Sequence, residues 1–509
     1  MRVEDRRHVP DILDCLAQLS SDEVPTPPKL ASAMLDLLPP EVWRDPGLRW
    51  LDPCSKSGAF LREIVSRLIE GLAEWQPDFE KRREHILREM VFGTAITEIT
   101  GYITRRTVYC SRDASGDYSV VHFDDEAGNL PFVAAQHDFE DGSCTLCGAP
   151  EELERGAARE NYAYAFIHGA YPNKENGAMK FDVIVGNPPY QINSNGSTRT
   201  RPIYQRFVQE AIAMNPRYVL MITPSRWFAG GLGLKEFRAD MLKDRRLSHL
   251  VDYRVEKDVF PKVNVNGGVS YFLWDSEHDG KCLVSHVPAG GSPSVPEARY
   301  LDEFDLLVRQ NEGAHILRKV QALGEPTFDQ HVSSQKPFDL HTNFKGRASK
   351  KGLKKALRMH GSRAVSWVPR AKVTKNVDLI DRWKVFLVAA SDGNENFPAP
   401  IWDLAKGPFV GAPGEICNGS YLVIYPTDDE ATAKAVAAFL RTRFVRFLVS
   451  LRKIAQHNDA GRFSFVPDLP MDREWTDEQL YERYGLTDEE VAFIESQIKE
   501  MPMPDLAAT

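Results

Sequence analysis

A chain of 509 residues, 42% apolar and 27% charged, has the composition of an ordinary soluble globular protein and room for two or three domains. Seven cysteines, odd in number and unevenly spread, do not suggest a disulfide framework. No apolar run approaches a membrane span, and Met1-Arg2-Val3-Glu4-Asp5 lacks a signal-peptide pattern, so the cytoplasm is expected. A net charge of −9 argues against a uniformly basic nucleic-acid coat but allows a local basic face.

The first fifty residues read as helical, broken at Val24-Pro25-Thr26-Pro27-Pro28 and resuming over Lys29–Leu38. Prolines suit a helix entrance, where N–H groups have no intrahelical partner. A short strand over Leu48–Asp52, a tight loop and a helix from about Gly58 to Glu74 follow. A second strand-like run, Met90–Ile96, leads into a helix through Arg106. After an irregular stretch come a strand over Phe181–Gly186, a helix over Ile203–Met214, and strands at Tyr218–Thr223, Leu247–Tyr253 and Gly268–Trp274. The alternation predicts βαβ units in an open, doubly wound α/β sheet. The character changes near residue 300, giving a first domain of residues 1–305 and a second of 306–509.

The strand closed by Asn187-Pro188-Pro189-Tyr190 carries the most chemistry. The Asn187 side-chain oxygen and the Pro188 carbonyl can both accept from a planar amino group. The two prolines fix φ and remove N–H groups, so carbonyls point outward. Tyr190 adds a π face for a planar ring. Such a pocket receives an exocyclic or amide NH₂. A Pro-rich turn after a buried strand is the plainer alternative. On the earlier strand-to-helix turn, Asp52-Pro53-Cys54-Ser55-Lys56-Ser57-Gly58-Ala59-Phe60 aims backbone N–H groups at an anion, and Gly58 permits close approach.

Together these motifs resemble the amino-class N6-adenine DNA methyltransferases, whose first motif is D-P-x-x-G-S-G-x-F and whose fourth is N-P-P-Y. More narrowly, the chain is similar to the Eco57I-type restriction–modification methylases. Thr223-Pro224-Ser225-Arg226-Trp227-Phe228 and Val265–Trp274 support the likeness, which covers most of the chain. The resemblance implies a class I methyltransferase fold, a Rossmann-like doubly wound sheet. It implies S-adenosylmethionine over Asp52, Pro53, Ser57, Gly58 and Phe60, with Thr26 and Pro27 at its amino-acid end. Asn187 and Pro188 would then hold the N6 amino group of an extruded adenine. Pro189 shapes the same turn, Tyr190 stacks on the base, and Phe260 is the second stacking aromatic. Two departures stand out. Lys56 occupies the place of the first loop glycine, and the ribose-binding acid falls at Ala95, leaving Glu98 as the substitute. No acid marks the third motif.

Residues 107–160 predict a small zinc-type insert. Cys144-Thr145-Leu146-Cys147-Gly148 has a zinc-knuckle shape, and Cys110 and His137 complete a Cys₃His set, with His122 competing for the fourth place. Cys15, Cys54, Cys282 and Cys417 read as ordinary thiols.

From Lys345 to Lys375 there are eleven Lys/Arg and no Asp/Glu. Lys350, Lys351, Lys354, Lys355 and Arg358 are the phosphate-contact candidates there. Arg443 and Arg446 join them from a basic amphipathic helix expected over Arg441–Lys453. Residues 471–509 reverse the balance, with eleven acids against three bases, and Thr476…Gln479 and Thr487…Glu490 look like capping boxes. The second domain is therefore expected to be a separate mixed target-recognition domain for double-stranded DNA. With no Walker A motif or nuclease signature, a restriction or helicase subunit would be encoded separately. The first expectation is a site-specific adenine-N6 methyltransferase of a restriction–modification or phage-defence system. A protein glutamine-N5 methyltransferase and a catalytically silent DNA-recognition subunit are the alternatives.

Overall fold

A computed structural model describes residues 24–149, 151, 164–172, 179–193, 200–231, 233–261, 263, 265, 267–390, 398–404, 407–452 and 457–501. The helix expected before Val24, Cys15 within it, and Lys453 lie outside the described residues. The chain divides into two compact units, Met1–Leu307 and Val308–Thr509.

In the first unit Pro28 opens α1 (Pro28–Leu35) at a position where its missing N–H is no loss. Then come β1 (Trp50–Ser55), α2 (Ala59–Gly71), α3 (Phe79–His85), β2 (Val91–Ala95) and α4 (Glu98–Tyr109). The insert carries the short hairpin β3 (Phe139–Glu140) and β4 (Ser143–Cys144). Next are β5 (Val183–Gly186), the hairpin β6 (Gln191–Asn193) and β7 (Thr200–Pro202), α5 (Tyr204–Ala213), β8 (Tyr218–Pro224) and α6 (Lys235–Lys243). The unit ends with β9 (Leu247–Tyr253), β10 (Val269–Asp275), β11 (Cys282–Val287) and β12 (Glu297–Arg299).

Eight strands form one sheet in the order β12-β11-β9-β10-β8-β5-β1-β2. β2, β1, β5 and β8 run parallel, and β10 enters antiparallel between β8 and β9. Beyond β2, Gly93 N donates to Asn129 O and Ala95 N to Pro131 O, both at 3.0 Å, so residues 129–132 extend the sheet. Side chains alternate between two apolar layers, as the pleat requires. Trp50, Val183, Val185, Leu220 and Ile222 pack with Met34, Ile64 and Leu68. Leu51, Ile184, Val219 and Met221 pack with Phe207, Val208, Phe237 and Met241. Helices thus cover both faces. From β1 the chain steps outward to β2 and later returns to β5 on β1's other side. The strand order reverses there, and ligands of open α/β sheets bind at such a point. Asp52 lies on one of the two flanking strands and Asn187 directly follows the other.

The second unit contains α7 (Asn311–Ala322) and two three-stranded sheets. One joins β13 (Ala356–His360), β14 (Val365–Pro369) and β17 (Glu415–Cys417). The other joins β15 (Trp383–Val388), β16 (Phe409–Gly411) and β18 (Tyr421–Thr427). Helices α8 (Glu430–Arg441), α9 (Arg443–Arg452), α10 (Asp477–Arg483) and α11 (Asp488–Gln497) follow. Both Thr476 and Thr487 form full capping boxes, with Gln479 and Glu490.

The basic helix expected over 441–453 is present as α9, with its start moved to Arg443. Thr442, at ψ 147°, ends α8, and the Asp477 carboxylate accepts from Arg443 N and Phe444 N at 2.9 Å, which fixes a new start for α9. Arg443 and Arg446, expected as phosphate contacts, are engaged within the unit. Arg446 is 0% exposed, and its guanidinium donates to the carbonyls of Arg441, Thr442 and Pro400 at 3.1–3.2 Å. Burial lowers its pKa to about 10. Arg443 pairs with Glu495 at 3.0 Å and Glu500 at 3.3 Å. The acidic terminal segment therefore neutralises the basic helix, and both arginines serve the fold.

Candidate active site

The crevice begins at β1. Asp52 is 3% exposed and accepts from Cys54 N at 3.1 Å. Loss of water raises its pKa from 3.8 to about 7, against the lowering pull of the Cys54 amide and the Lys56 charge. The loop turns at Gly58, whose φ of +73° suits glycine and where a Cβ would sit 3.2 Å from Thr107 Cβ. Helix α4 supports the loop from behind. Thr107 Oγ1 donates to Ser57 O at 2.9 Å, and the Ser55 and Thr104 hydroxyls meet at 3.0 Å. On β5, a Cβ at Gly186 would lie 2.9 Å from Cys54 Sγ, so only glycine lets Asn187 come this close to the loop.

Asn187 is 3% exposed, and its Nδ2 donates to Val24 O at 3.1 Å and Thr26 Oγ1 at 3.2 Å. A carbonyl can only accept, so the amide nitrogen must face the Val24–Thr26 strap. The Asn187 Oδ1 is thereby turned to the other side, buried and without a hydrogen-bond partner among the described residues. An acceptor left so costs roughly 1–3 kcal/mol. Lys56, 8% exposed, donates from Nζ to the same Val24 O at 3.2 Å. Thr26, Asn187 and the loop from Asp52 to Phe60 line one small pocket of about 10 Å³.

The structure thus brings Thr26, Asp52, Ser57, Gly58, Phe60 and Asn187 together. Pro53 lies against Gly186, and Pro188 and Pro189 are buried. Pro27 caps α1, its carbonyl accepting from Leu30 N and Ala31 N at 3.0 Å. Tyr190 packs against an apolar cluster that includes the buried Phe260, and its own buried hydroxyl has no hydrogen-bond partner among the described residues. Glu98 is not brought in. It stands exposed on the first turn of α4 and accepts from Tyr102 OH at 2.8 Å. Sequence reasoning missed the Val24 carbonyl, which has no side-chain signature.

In the insert, His137, Cys144, Cys147 and His168 place one ligand atom each within 4.8 Å of all the others. Cys147 Sγ lies 3.4 Å from His137 Nδ1, and Cys144 Sγ 3.6 Å from His168 Nε2. The knuckle is held by Gly148 N donating to Cys144 O at 2.8 Å and Ala149 N to Cys147 Sγ at 3.4 Å. Cys110 is corrected out of the set: it ends α4 at φ 62° and is exposed. His122 is exposed too, and its carbonyl accepts from Arg88. His168 stands in the fourth place of the cluster.

In the second unit Lys350, Lys351, Lys354, Lys355 and Arg358 are exposed on and beside β13. Lys350 lies over the Trp367 ring at 5.6 Å, while Arg358 pairs with Glu415 at 2.9 Å.

Residues 89–260 match the family described as Eco57I restriction-modification methylase. An uncharacterized adenine-specific methylase of Mycoplasma pneumoniae is 36% identical over 305 residues, covering 54% of this chain and 72% of that protein. A type I restriction-modification methyltransferase subunit from Streptococcus thermophilus aligns over 61% of this chain and 55% of its own, at 13% identity and a TM-score of 0.33. A nuclease-deletion mutant of the Type ISP enzyme LlaGI, in complex with a DNA substrate mimic, aligns over 85% and 45%, at 11% identity and a TM-score of 0.49. The chain spans about half the length of the solved structures it matches. Its identity to the mycoplasma protein over most of that protein's length is decisive: the chain belongs to the adenine-specific methylases.

Proposed function

We propose that this chain transfers a methyl group from S-adenosylmethionine to N6 of an adenine extruded from double-stranded DNA, within a restriction–modification or phage-defence system. One observation carries the reading: Asn187 is held by its nitrogen, and its buried oxygen faces away from the strap with no partner among the described residues. An amine donating to that oxygen would end the acceptor's isolation, and its own nitrogen would become more electron-rich. The residues fit the donor, since Gly58 opens the loop to close approach and Asp52 offers a carboxylate to a cation. When bound, the donor supplies a sulfonium-activated methyl group. Held through Asn187, an adenine N6 would be the nucleophile toward that methyl group, and the proton it gives up would pass to solvent. No strong general base is needed, so this chain contributes position and electrostatics. Tyr190 and Phe260 supply apolar ring surface that offsets the few kcal/mol spent on extruding a base.

The exposed lysines of the second unit are the phosphate-binding face in this reading, which makes residues 308–509 the target-recognition unit. A restriction or helicase subunit is the partner protein we assign. Among the described residues no helix is long and apolar enough to cross a membrane. A DNA substrate places the chain in the cytoplasm. Zinc, at the His137–Cys144–Cys147–His168 cluster, is the structural ion of the insert.

Replacing Asn187 by alanine tests the core of the proposal. Methyl incorporation into duplex DNA should fall by about 100-fold or more, the scale lost with one aligned electrostatic group. Donor binding, followed by calorimetry, should stay close to wild type. Unchanged incorporation would remove Asn187 from the reaction.

A further inference from the structure

The two rims of the large sheet carry their arginines differently. Where β8 and β9 begin, Arg217, Arg245 and Arg246 pair with Asp275, Asp302 and Asp244 at 3.2, 2.8 and 2.7 Å. At the other rim, where β5 ends in Asn187, Arg201 and Arg226 are exposed. Neither guanidinium has a hydrogen-bond or ion-pair partner among the described residues. From Asn187 to Lys235 the sequence holds six Lys/Arg and a single acid, Glu210.

Arg226 is held out by its neighbours. Of the four residues in the turn Ser225–Phe228, which follows β8, only Arg226 is exposed. Ser225 Oγ donates to the buried Asp252 at 2.8 Å and Ser225 N to Gly268 O at 3.0 Å, while Trp227 and Phe228 are packed into the core. Gly267, at φ +96°, leaves room for the arginine stem: a Cβ there would lie 3.3 Å from Arg226 Cγ. The guanidinium stands close enough to Tyr204 to act on it electrostatically, as Tyr204 does on Tyr190. Arg201 approaches from the hairpin that leaves the N-P-P-Y turn. Tyr190 O accepts from Ile203 N at 3.2 Å, and Arg201 lies opposite Ile192, two residues or roughly 7 Å along the strand.

Position decides which anion these arginines meet. β1 carries the donor loop, β5 lies beside it and β8 beside β5, with neighbouring strands about 4.8 Å apart. The rim therefore reads donor, target amine, arginine. β8 also runs three residues past Met221, the partner of Gly186, so Arg226 stands further out than Asn187. An anion bound there belongs to the molecule that brings the amine, on the side away from the donor. A guanidinium fork matches a phosphodiester with two parallel hydrogen bonds, whereas a glutamine in a polypeptide brings no such charge. Resting on the reading of Asn187 as the acceptor of the target amine, we propose that Arg226 and Arg201 bind the DNA backbone phosphates beside the extruded nucleotide. The first unit then has a phosphate grip of its own.

Salt titrations of the full-length protein on a duplex carrying the site it methylates test this. Arg226→Ala should weaken binding by about tenfold, on the scale of one charge-assisted contact, and flatten the slope of log K against log salt by about one. Arg226→Lys keeps the charge and should keep the slope. Methylphosphonates at the phosphates flanking the methylated adenine remove the charge from the DNA side. They should weaken wild-type binding by a similar factor and leave the Arg201→Ala/Arg226→Ala double variant close to its affinity for the natural duplex. A wild-type slope in Arg226→Ala overturns the proposal. So does a methylphosphonate penalty as large in the double variant as in wild type, since the arginines would then lie elsewhere on the DNA. Wild-type protein that methylates no duplex DNA overturns the adenine assignment and this proposal with it, before any variant is made.

Discussion

Burial governs Asp52 more strongly than any partner does. Its pKa rises from 3.8 to about 7 on folding, so the folded chain holds the proton more tightly than the unfolded chain. The stability linked to that proton is fully present below about pH 4 and is lost as pH climbs toward and through 7. A tenfold gain in proton affinity is worth about 1.4 kcal/mol, so the contribution is a few kcal/mol at most. Asp52→Asn cannot ionise, so its melting temperature should fall less than wild type's between pH 4 and 7. Parallel thermal melts across that range check this, and identical pH profiles would refute it. The same residue shows what sequence can reveal. Asp52, Gly58 and Asn187 were legible because they lie on or just after two neighbouring parallel strands, where topology alone forces proximity. The inward course of Lys56 and the shared Val24 oxygen were not, because side-chain direction and backbone acceptors depend on tertiary packing.

At the scale of elements, local signals were the readable ones. The capping boxes of α10 and α11 lie within four residues of chain and formed as expected. The break between α8 and α9 was hidden, since it depends on Asp477, 34 residues beyond Arg443. The insert divides the same way: Cys144 and Cys147 advertise themselves, whereas His168 reaches Cys144 across 24 residues. Tyr164 and Phe166 pack on Phe207 of α5, with ring centroids 5.5 and 6.0 Å apart, which brings His168 into place. Elemental analysis should find about one zinc per wild-type chain, close to none in Cys144→Ser and His168→Ala, and full content in Cys110→Ser. Stoichiometric metal in His168→Ala, or its loss in Cys110→Ser, would defeat this ligand set.

For the whole molecule, the net charge of −9 conceals a local excess. Lys350, Lys351, Lys354 and Lys355 remain exposed, whereas Arg443 and Arg446 are consumed inside the second unit. Composition could reveal the acid-free stretch but not which cations the fold spends on itself. Removing Lys354 and Lys355 together by alanine substitution should weaken DNA binding. The slope of log K against log salt should become shallower by about one for each phosphate no longer neutralised. Salt titrations of binding to a cognate duplex measure that slope. A slope equal to wild type would take this face away from the DNA.

Strand β10 also sets a constraint on how the chain can be made. β9 leaves the ribosome earlier, yet both its sheet neighbours, β10 and β11, come later in sequence. Until Val269–Asp275 has emerged, the apolar Leu247, Leu250 and Val251 have no strand to pair with, and the outer edge of β8 stays open. A nascent chain paused between residues 253 and 269 would leave both edges of β9 and one edge of β8 unsatisfied at once, the condition under which chaperone capture or misassociation competes with folding.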